Sequence, residues 1–241
     1  MTWDNINPFV FAAVSILPWG FFLFLLHPGS KKRKILLTIL ALLLGYLSTV
    51  IILYLHPLLW PEVGTRPKRM TILTQTAHIA FIQAGIMEET FKIIFILLLA
   101  FVFAYSWKKS EFGKDVVLIA GFVALGFSLF ENFQYISKQP ATARLEIFIG
   151  RTIHSSNIHL LINLCFGLFL LKSNGKTFRE KLIIVSYAFF LAIAQHGVVD
   201  FFLLPSSRFG TWLATALFVG IWVWVVRDMR SLVYNVNPVT R

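Results

Sequence analysis

Seven ionisable side chains sit inside otherwise apolar stretches of this 241-residue chain: Glu88, Glu89 and Lys92, then Glu131, then His159, then His196 with Asp200. In hydrocarbon each costs several kcal/mol, so by default such residues are paired or functional. Carboxylates and imidazoles are the groups that move protons and activate water. Two His and a carboxylate are also a known ligand set for a catalytic zinc ion with its fourth position open to water. Helical spacing adds direction. Glu88 precedes Lys92 by four residues, the favourable order for an ion pair. Phe127, Glu131 and Tyr135 share one helix face, as do His196 and Asp200. Arg151, Ser155, His159 and Asn163 form a polar stripe ending at Gly167, where a second helix can approach closely.

The elements that must position these groups follow from composition. With 57% hydrophobic and 14% charged residues, the chain is neither a disordered segment nor an ordinary soluble domain. A span takes about 20 apolar residues, and the basic excess, 22 Lys and Arg against 11 Asp and Glu, suits loops at an anionic membrane surface. No nucleic-acid partner is expected. The single cysteine, Cys165, excludes an intrachain disulfide framework. No signal peptide is expected, because the N-terminus lacks a basic region and the first apolar run is followed by Lys31, Lys32, Arg33 and Lys34. Spans are expected over Pro8–Leu26, with a kink at Pro18, and over Ile35–Leu55, Asp115–Ile136, Arg151–Leu171, Leu182–Leu204 and Thr211–Val226. Pro57, Pro61, Gly64 and Pro67 mark a loop carrying Arg66, Lys68 and Arg69. Met70 to Trp107 as one straight helix would measure about 57 Å against a hydrocarbon core of about 30 Å, so the stretch must break or tilt, with Gly85 the expected place of a break.

If that stretch crosses once, the loops divide the basic residues 14 to 7 with Lys92 in a span; if it crosses twice the division is 13 to 8. The sharper asymmetry predicts an all-α, polytopic membrane helix bundle of seven full crossings plus one re-entrant or tilted helix over Thr71–Ala84, eight helices in all. Its N-terminus lies outside and its C-terminus in the cytoplasm, and eight crossings remain the alternative. Residues 1–241 form a single integral membrane domain with a motif-bearing core at 71–204. At about 1.5 Å per residue, Glu88, Glu89, Glu131, His159 and His196 all fall within roughly 5 to 12 Å of one membrane face, whichever way the chain is oriented. Taken singly, the residues have plainer readings. His78 and His154 suit interhelical hydrogen bonds, Glu88 with Lys92 suits a structural ion pair, Lys31 to Lys34 a topology signal, and Trp212, Trp222 and Trp224 a lipid-facing or interfacial tail helix. Four polar constellations converging at one depth point instead to a functional site.

The same residues resemble a known family. Glu88-Glu89-Thr90-Phe91-Lys92 matches the EExxK motif of the PrsW intramembrane proteases, which are similar to the CAAX-protease and bacteriocin-processing group. Phe127, Glu131 and Tyr135 match its FxxxExxxY motif. Arg151, His159 and Gly167 match the Arg, His and Gly spaced by eight, and His196 with Asp200 matches the His followed by Asn or Asp. Asp200 stands where the wider CAAX-protease group usually has Asn. The resemblance implies a protease that cleaves a membrane-anchored protein, such as an anti-sigma factor, near the outer face of the bacterial cell (inner) membrane, with the bilayer as its other partner.

On this reading the catalytic set is Glu88, Glu89, Glu131, His159 and His196, supported by Lys92, Phe127, Tyr135, Arg151, Asn163 and Asp200. Glu88 or Glu89 is the general base on a water molecule. His196, oriented by Asp200, and His159 stabilise the oxyanion or carry the proton to the leaving amine, and Glu131 shares the water or holds His159. The chain has no HExxH-type paired histidines, which favours a mechanism without cofactor. The zinc alternative uses Glu88, His159 and His196 as ligands. An ion- or proton-coupled transporter would also cluster such groups, but the inverted repeats expected of one are missing. A non-enzymatic scaffold would not need a water-accessible carboxylate pair.

Overall fold

The structure is a computed structural model that describes residues 6–60, 71–205 and 207–234. Its described residues form seven long helices: α1 (Pro8–Leu26), α2 (Lys31–Leu59), α3 (residues 72–104), α4 (Asp115–Ser137), α5 (Ala141–Lys172), α6 (Phe178–Leu203) and α7 (Arg208–Val233). A two-residue antiparallel pair, Tyr105–Ser106 with Glu111–Phe112, turns the chain between α3 and α4. Helix starts carry ordinary caps. Asn7 accepts from the Phe9 amide ahead of Pro8, Thr177 and Glu180 form a capping box, and Ser207 accepts from Gly210, so orphan amides at three starts are satisfied locally.

Six of these helices are long and apolar enough to cross a membrane. The exception is α3, whose middle carries Glu88, Glu89 and Lys92. Outward faces are apolar too: Phe21, Phe22, Leu25 and Leu26 on α1 are each more than half exposed, which only lipid can cover at low cost. The chain is a multi-pass membrane protein. Its interior is α4 and α5, 78% buried over their spanning windows against 22–33% for the other four, so polar groups on these two helices face protein and not lipid. A Cβ added at Gly126 of α4 would lie 2.2 Å from the Leu42 carbonyl oxygen of α2, so that glycine sets how closely the two helices pack. Gly167 does the same for α5, its added Cβ meeting Ala120 of α4 at 3.0 Å, as the polar stripe ending there predicted.

Several expectations need correction. The helix does not break at Gly85; it continues from Ile72 to Ala104, with wider π-helical turns at His78–Ile86 and Ala100–Ala104. Gly85 serves instead as a contact, for a Cβ there would lie 3.2 Å from the Ile193 carbonyl oxygen of α6. Thr71–Ala84 is therefore no separate helix: Thr71 caps α3 through the Thr74 amide, and eight helices become seven. Pro57 does not open the loop, since α2 runs through it to Leu59; Pro61, Gly64, Arg66, Pro67, Lys68 and Arg69 lie outside the described residues. Helix α5 begins ten residues before the expected Arg151, at Ala141.

The basic cluster after α1 is more than a topology signal. Arg33 and His27 both grip Asp115 at the start of α4, His27 at 3.0 Å, while Lys34 donates to the last carbonyls of α1, 2.7 Å from Phe24 and 3.0 Å from His27. At the same end Lys172 pairs with Asp228, which also accepts from Trp224 at 2.7 Å. Only Trp212 of the three tail tryptophans is widely exposed; Trp222 packs on Trp19 and Trp224 on Phe169, because α7 has the bundle on one side and lipid on the other.

Candidate active site

Four helices bring the expected residues together. On α3, helical spacing places Glu88, Glu89 and Lys92 on one face. Lys92 and Glu89 are fully buried, with the ammonium 2.5 Å from Glu89 Oε1 and 3.6 Å from Glu88 Oε2. Such a charge is tolerable only because it is paired on several sides. Lys92 also lies 3.1 Å from His159 Nδ1 on α5 and 4.2 Å from the centre of the Phe127 ring on α4, which gives Phe127 a cation–π role.

From α6, His196 faces this group. Its Nδ1 is 2.7 Å from Glu89 Oε1, and its Nε2 is 3.3 Å from Asp200 Oδ2 and 3.7 Å from Glu88 Oε2. Asn163 donates to Glu89 Oε2 at 3.3 Å and to the His159 carbonyl at 3.0 Å. Glu89 is thus enclosed by Lys92, His196 and Asn163, a position suited to orienting an imidazole rather than to meeting water.

A second carboxylate cluster adjoins the first. Glu131 of α4 pairs with Arg151 and lies 3.1 Å from His159 Nε2, and Ser155 donates to it at 3.5 Å. The Arg151 guanidinium rests 4.2 Å from the centre of the Tyr135 ring. The two imidazoles meet edge to face with ring centres 5.1 Å apart. Beside them a cavity of about 560 Å³ is lined on one side by Glu131, Tyr135, Arg151, His159, His196 and Asp200. His154 also lines it, whereas His78 contacts Gln83 at 3.4 Å and the Trp60 ring.

Glu88, His159 and His196 each offer one ligand atom, and these atoms lie within 4.8 Å of one another. The set fits a metal ion in three respects. Two His and a Glu are a common catalytic zinc set. Glu88 Oε2 is buried without a hydrogen-bond partner. The Glu89 contact to His196 Nδ1 also leaves Nε2 turned toward Glu88, which is how outer carboxylates usually orient a ligating histidine. Both nitrogens of His159 are engaged, by Lys92 and Glu131, so an ion there exchanges one of these contacts for a metal bond.

Asn132 was missed in the sequence, although it follows Glu131 directly. It is fully buried, donates to Ser15 of α1 at 2.7 Å and to Ser156 of α5 at 2.8 Å, and accepts from Arg151 Nε at 2.6 Å. It therefore aims the guanidinium that holds Glu131. The available signal was an amide in the middle of an apolar run, where an unsatisfied polar group is expensive. Asn132→Ala is expected to lower the activity of the site about 10- to 100-fold, the usual range for a residue that orients a functional group. Steady-state kinetics check this; a wild-type rate would make Asn132 a packing residue only.

A bundle of spanning helices enclosing carboxylates, imidazoles and a cavity suits a polytopic membrane hydrolase. Comparison with known proteins specifies it further. The family profile described as PrsW family intramembrane metalloprotease matches residues 33–226, and the chain belongs to the PrsW family. It is similar to Protease PrsW of Clostridioides difficile (strain 630), 28% identical over 155 residues that cover 62% of this chain and 61% of that protein. Protease PrsW of Shouchella clausii is 26% identical over 201 residues, 83% of this chain and 86% of the relative. Protease PrsW of Geobacillus kaustophilus is 23% identical over 160 residues, 66% and 67%. No solved structure matches the chain.

Proposed function

We propose that this protein hydrolyses a peptide bond of a membrane-anchored protein, such as an anti-sigma factor, near the outer face of the bacterial cell (inner) membrane, with Glu88, His159 and His196 holding a zinc-type ion. The observation that carries this reading is the convergence of those three side chains, from three helices, within 4.8 Å. It departs from the cofactor-free mechanism favoured by the absence of HExxH, because a bundle can assemble from separate helices what that motif places on one. The metal, when bound, supplies Lewis-acid polarisation of the scissile carbonyl and acidifies a water molecule.

The chain's own residues do the rest. Glu131, which faces the cavity, takes the proton from the attacking water and returns it to the leaving amine. Arg151, held against Glu131 and facing the same cavity, offsets negative charge developing on the carbonyl oxygen. Glu89 holds His196 in the tautomer that presents Nε2, and Asp200, 3.3 Å from that same nitrogen, would give up this contact to the ion and stand beside it as a further negative charge on the cavity side. Lys92 neutralises the Glu88–Glu89 pair and never meets the substrate. In this arrangement α3 is the seventh crossing, the N-terminus lies outside, the C-terminus is cytoplasmic, and residues 1–241 act as one membrane domain.

Single replacements Glu88→Gln, Glu89→Gln, Glu131→Gln, His159→Ala and His196→Ala, each followed by cleavage of a co-expressed single-span substrate, test the assignment. Deep losses are expected at Glu88, Glu131, His159 and His196, and a smaller one at Glu89. Unimpaired cleavage in all five variants contradicts it.

A further inference from the structure

Three helices each turn one stripe of side chains toward the cavity. On α5 the stripe is Arg151, His154, Ser155, Ile158 and His159; on α6 it runs from His196 through Val199 and Asp200 to Leu203; on α7 it is Thr211, Ala214, Thr215 and Phe218. All three follow three- and four-residue helical spacing. The chemistry divides along them. The α4–α5 wall and the near turn of α6 are ionisable, whereas the far turn of α6 and the α7 wall are apolar or carry small hydroxyl side chains. At about 560 Å³ the cavity falls in the range of small-molecule sites, far larger than the few waters the reaction needs.

Resting on the protease site proposed above, we infer that the α6–α7 half of this cavity is a side-chain pocket that selects a large apolar residue flanking the scissile bond. A peptide carbonyl set against Glu131, His159 and His196 directs a neighbouring side chain toward Val199, Leu203, Ala214 and Phe218, since these line the same cavity. Ala214 sets its depth: it is the smallest residue of the α7 stripe, and any larger side chain there projects into the space a substrate would fill. Phe218, one turn further along, closes the wall beside it. Phe218 meets the His154 ring, with centres 6.4 Å apart, but His154 has no role in the proposed reaction, and neither Ala214 nor Phe218 is among the contacts described for Glu88, Glu131, His159 or His196, so changing them alters selection without altering the chemistry.

The test uses the full chain reconstituted in vesicles with a library of single-span reporters, varied one position at a time through the outer third of the span among Gly, Ala, Leu, Phe and Trp. The wild-type protein is expected to favour Leu or Phe over Ala at one position beside the cut by about tenfold or more, the discrimination a hydrophobic pocket ordinarily achieves. Ala214→Phe is expected to reverse that preference toward Ala and Gly, and Phe218→Ala to raise cleavage of Trp relative to Leu. The two variants act in opposite senses, so loss of folding in one leaves the other decisive. Wild-type preferences in both overturn the pocket, as does a wild-type protein indifferent to all five residues. Glu88→Gln run beside them separates the two levels: normal cleavage by that variant overturns the underlying site, and cutting of no reporter by the wild-type protein overturns both.

Discussion

His196→Ala is expected to reduce peptide cleavage by about a hundred- to ten-thousand-fold, the range over which positioned acid–base and water-activating groups act, and to weaken zinc binding at the proposed metal site at the same time. His196 is singled out because every one of its contacts belongs to the site. Its Nδ1 meets Glu89 at 2.7 Å and its Nε2 faces Glu88 and Asp200 at 3.7 and 3.3 Å. Alanine removes the proposed ligand and leaves Glu89 with a vacated partner. Glu89→Gln is expected to behave differently, because the amide oxygen can still accept from Nδ1 and keep the ring oriented. Its loss should stay near 10- to 100-fold. Kinetics and metal content measured on both variants check the contrast. Equal, small effects would mean that His196 is a structural residue.

The second large effect falls on stability. Lys92 is fully buried between Glu88, Glu89 and His159, so Lys92→Met leaves the fully buried Glu89 without its nearest cation. Removing one partner of a buried pair costs about 3–5 kcal/mol, chiefly from the charge left behind. Thermal unfolding in detergent should show a correspondingly deep fall in midpoint. Combining Lys92→Met with Glu89→Gln is expected to recover part of it, since the double variant no longer buries the Glu89 charge unpaired and leaves only Glu88, which still faces His196 at 3.7 Å, without the ammonium, and such non-additivity is the signature of direct coupling. If the double variant is no more stable than Lys92→Met alone, Lys92 acts mainly through packing on Phe127 and His159.

Much of the bundle was legible because lipid enforces a simple rule: a spanning segment must be helical, apolar and long enough. That rule located α1, α4, α6 and α7 within a few residues at most ends. It misled at Gly85 and Pro57. Glycine in membrane helices often marks a close approach and not an interruption, and a proline near a helix terminus loses few hydrogen bonds. The early start of α5 was hidden because Arg144 and Glu146 make Arg144–Gly150 look like a loop.

Within the site, faces were readable and partners were not. Spacing put Glu88 with Lys92 and His196 with Asp200, because those pairs lie on single helices. That Glu89 rather than Asp200 holds His196 Nδ1, that Lys92 reaches His159, and that Arg151 is aimed by Asn132 depend on how α3, α4, α5 and α6 rotate against one another. No local pattern encodes that rotation. The same limit explains why the absence of HExxH favoured a cofactor-free mechanism, while the folded chain gathers Glu88, His159 and His196 from positions distant in sequence.

The most direct test of metal-dependent hydrolysis at these three residues is a zinc titration of chelator-stripped, purified protein, followed by cleavage of a single-span reporter. The account predicts no cleavage in the stripped protein, full recovery near one ion per chain, and no recovery when Glu88→Gln is titrated in the same way. Full cleavage by the stripped wild-type protein would contradict it and return the site to carboxylate and histidine chemistry alone.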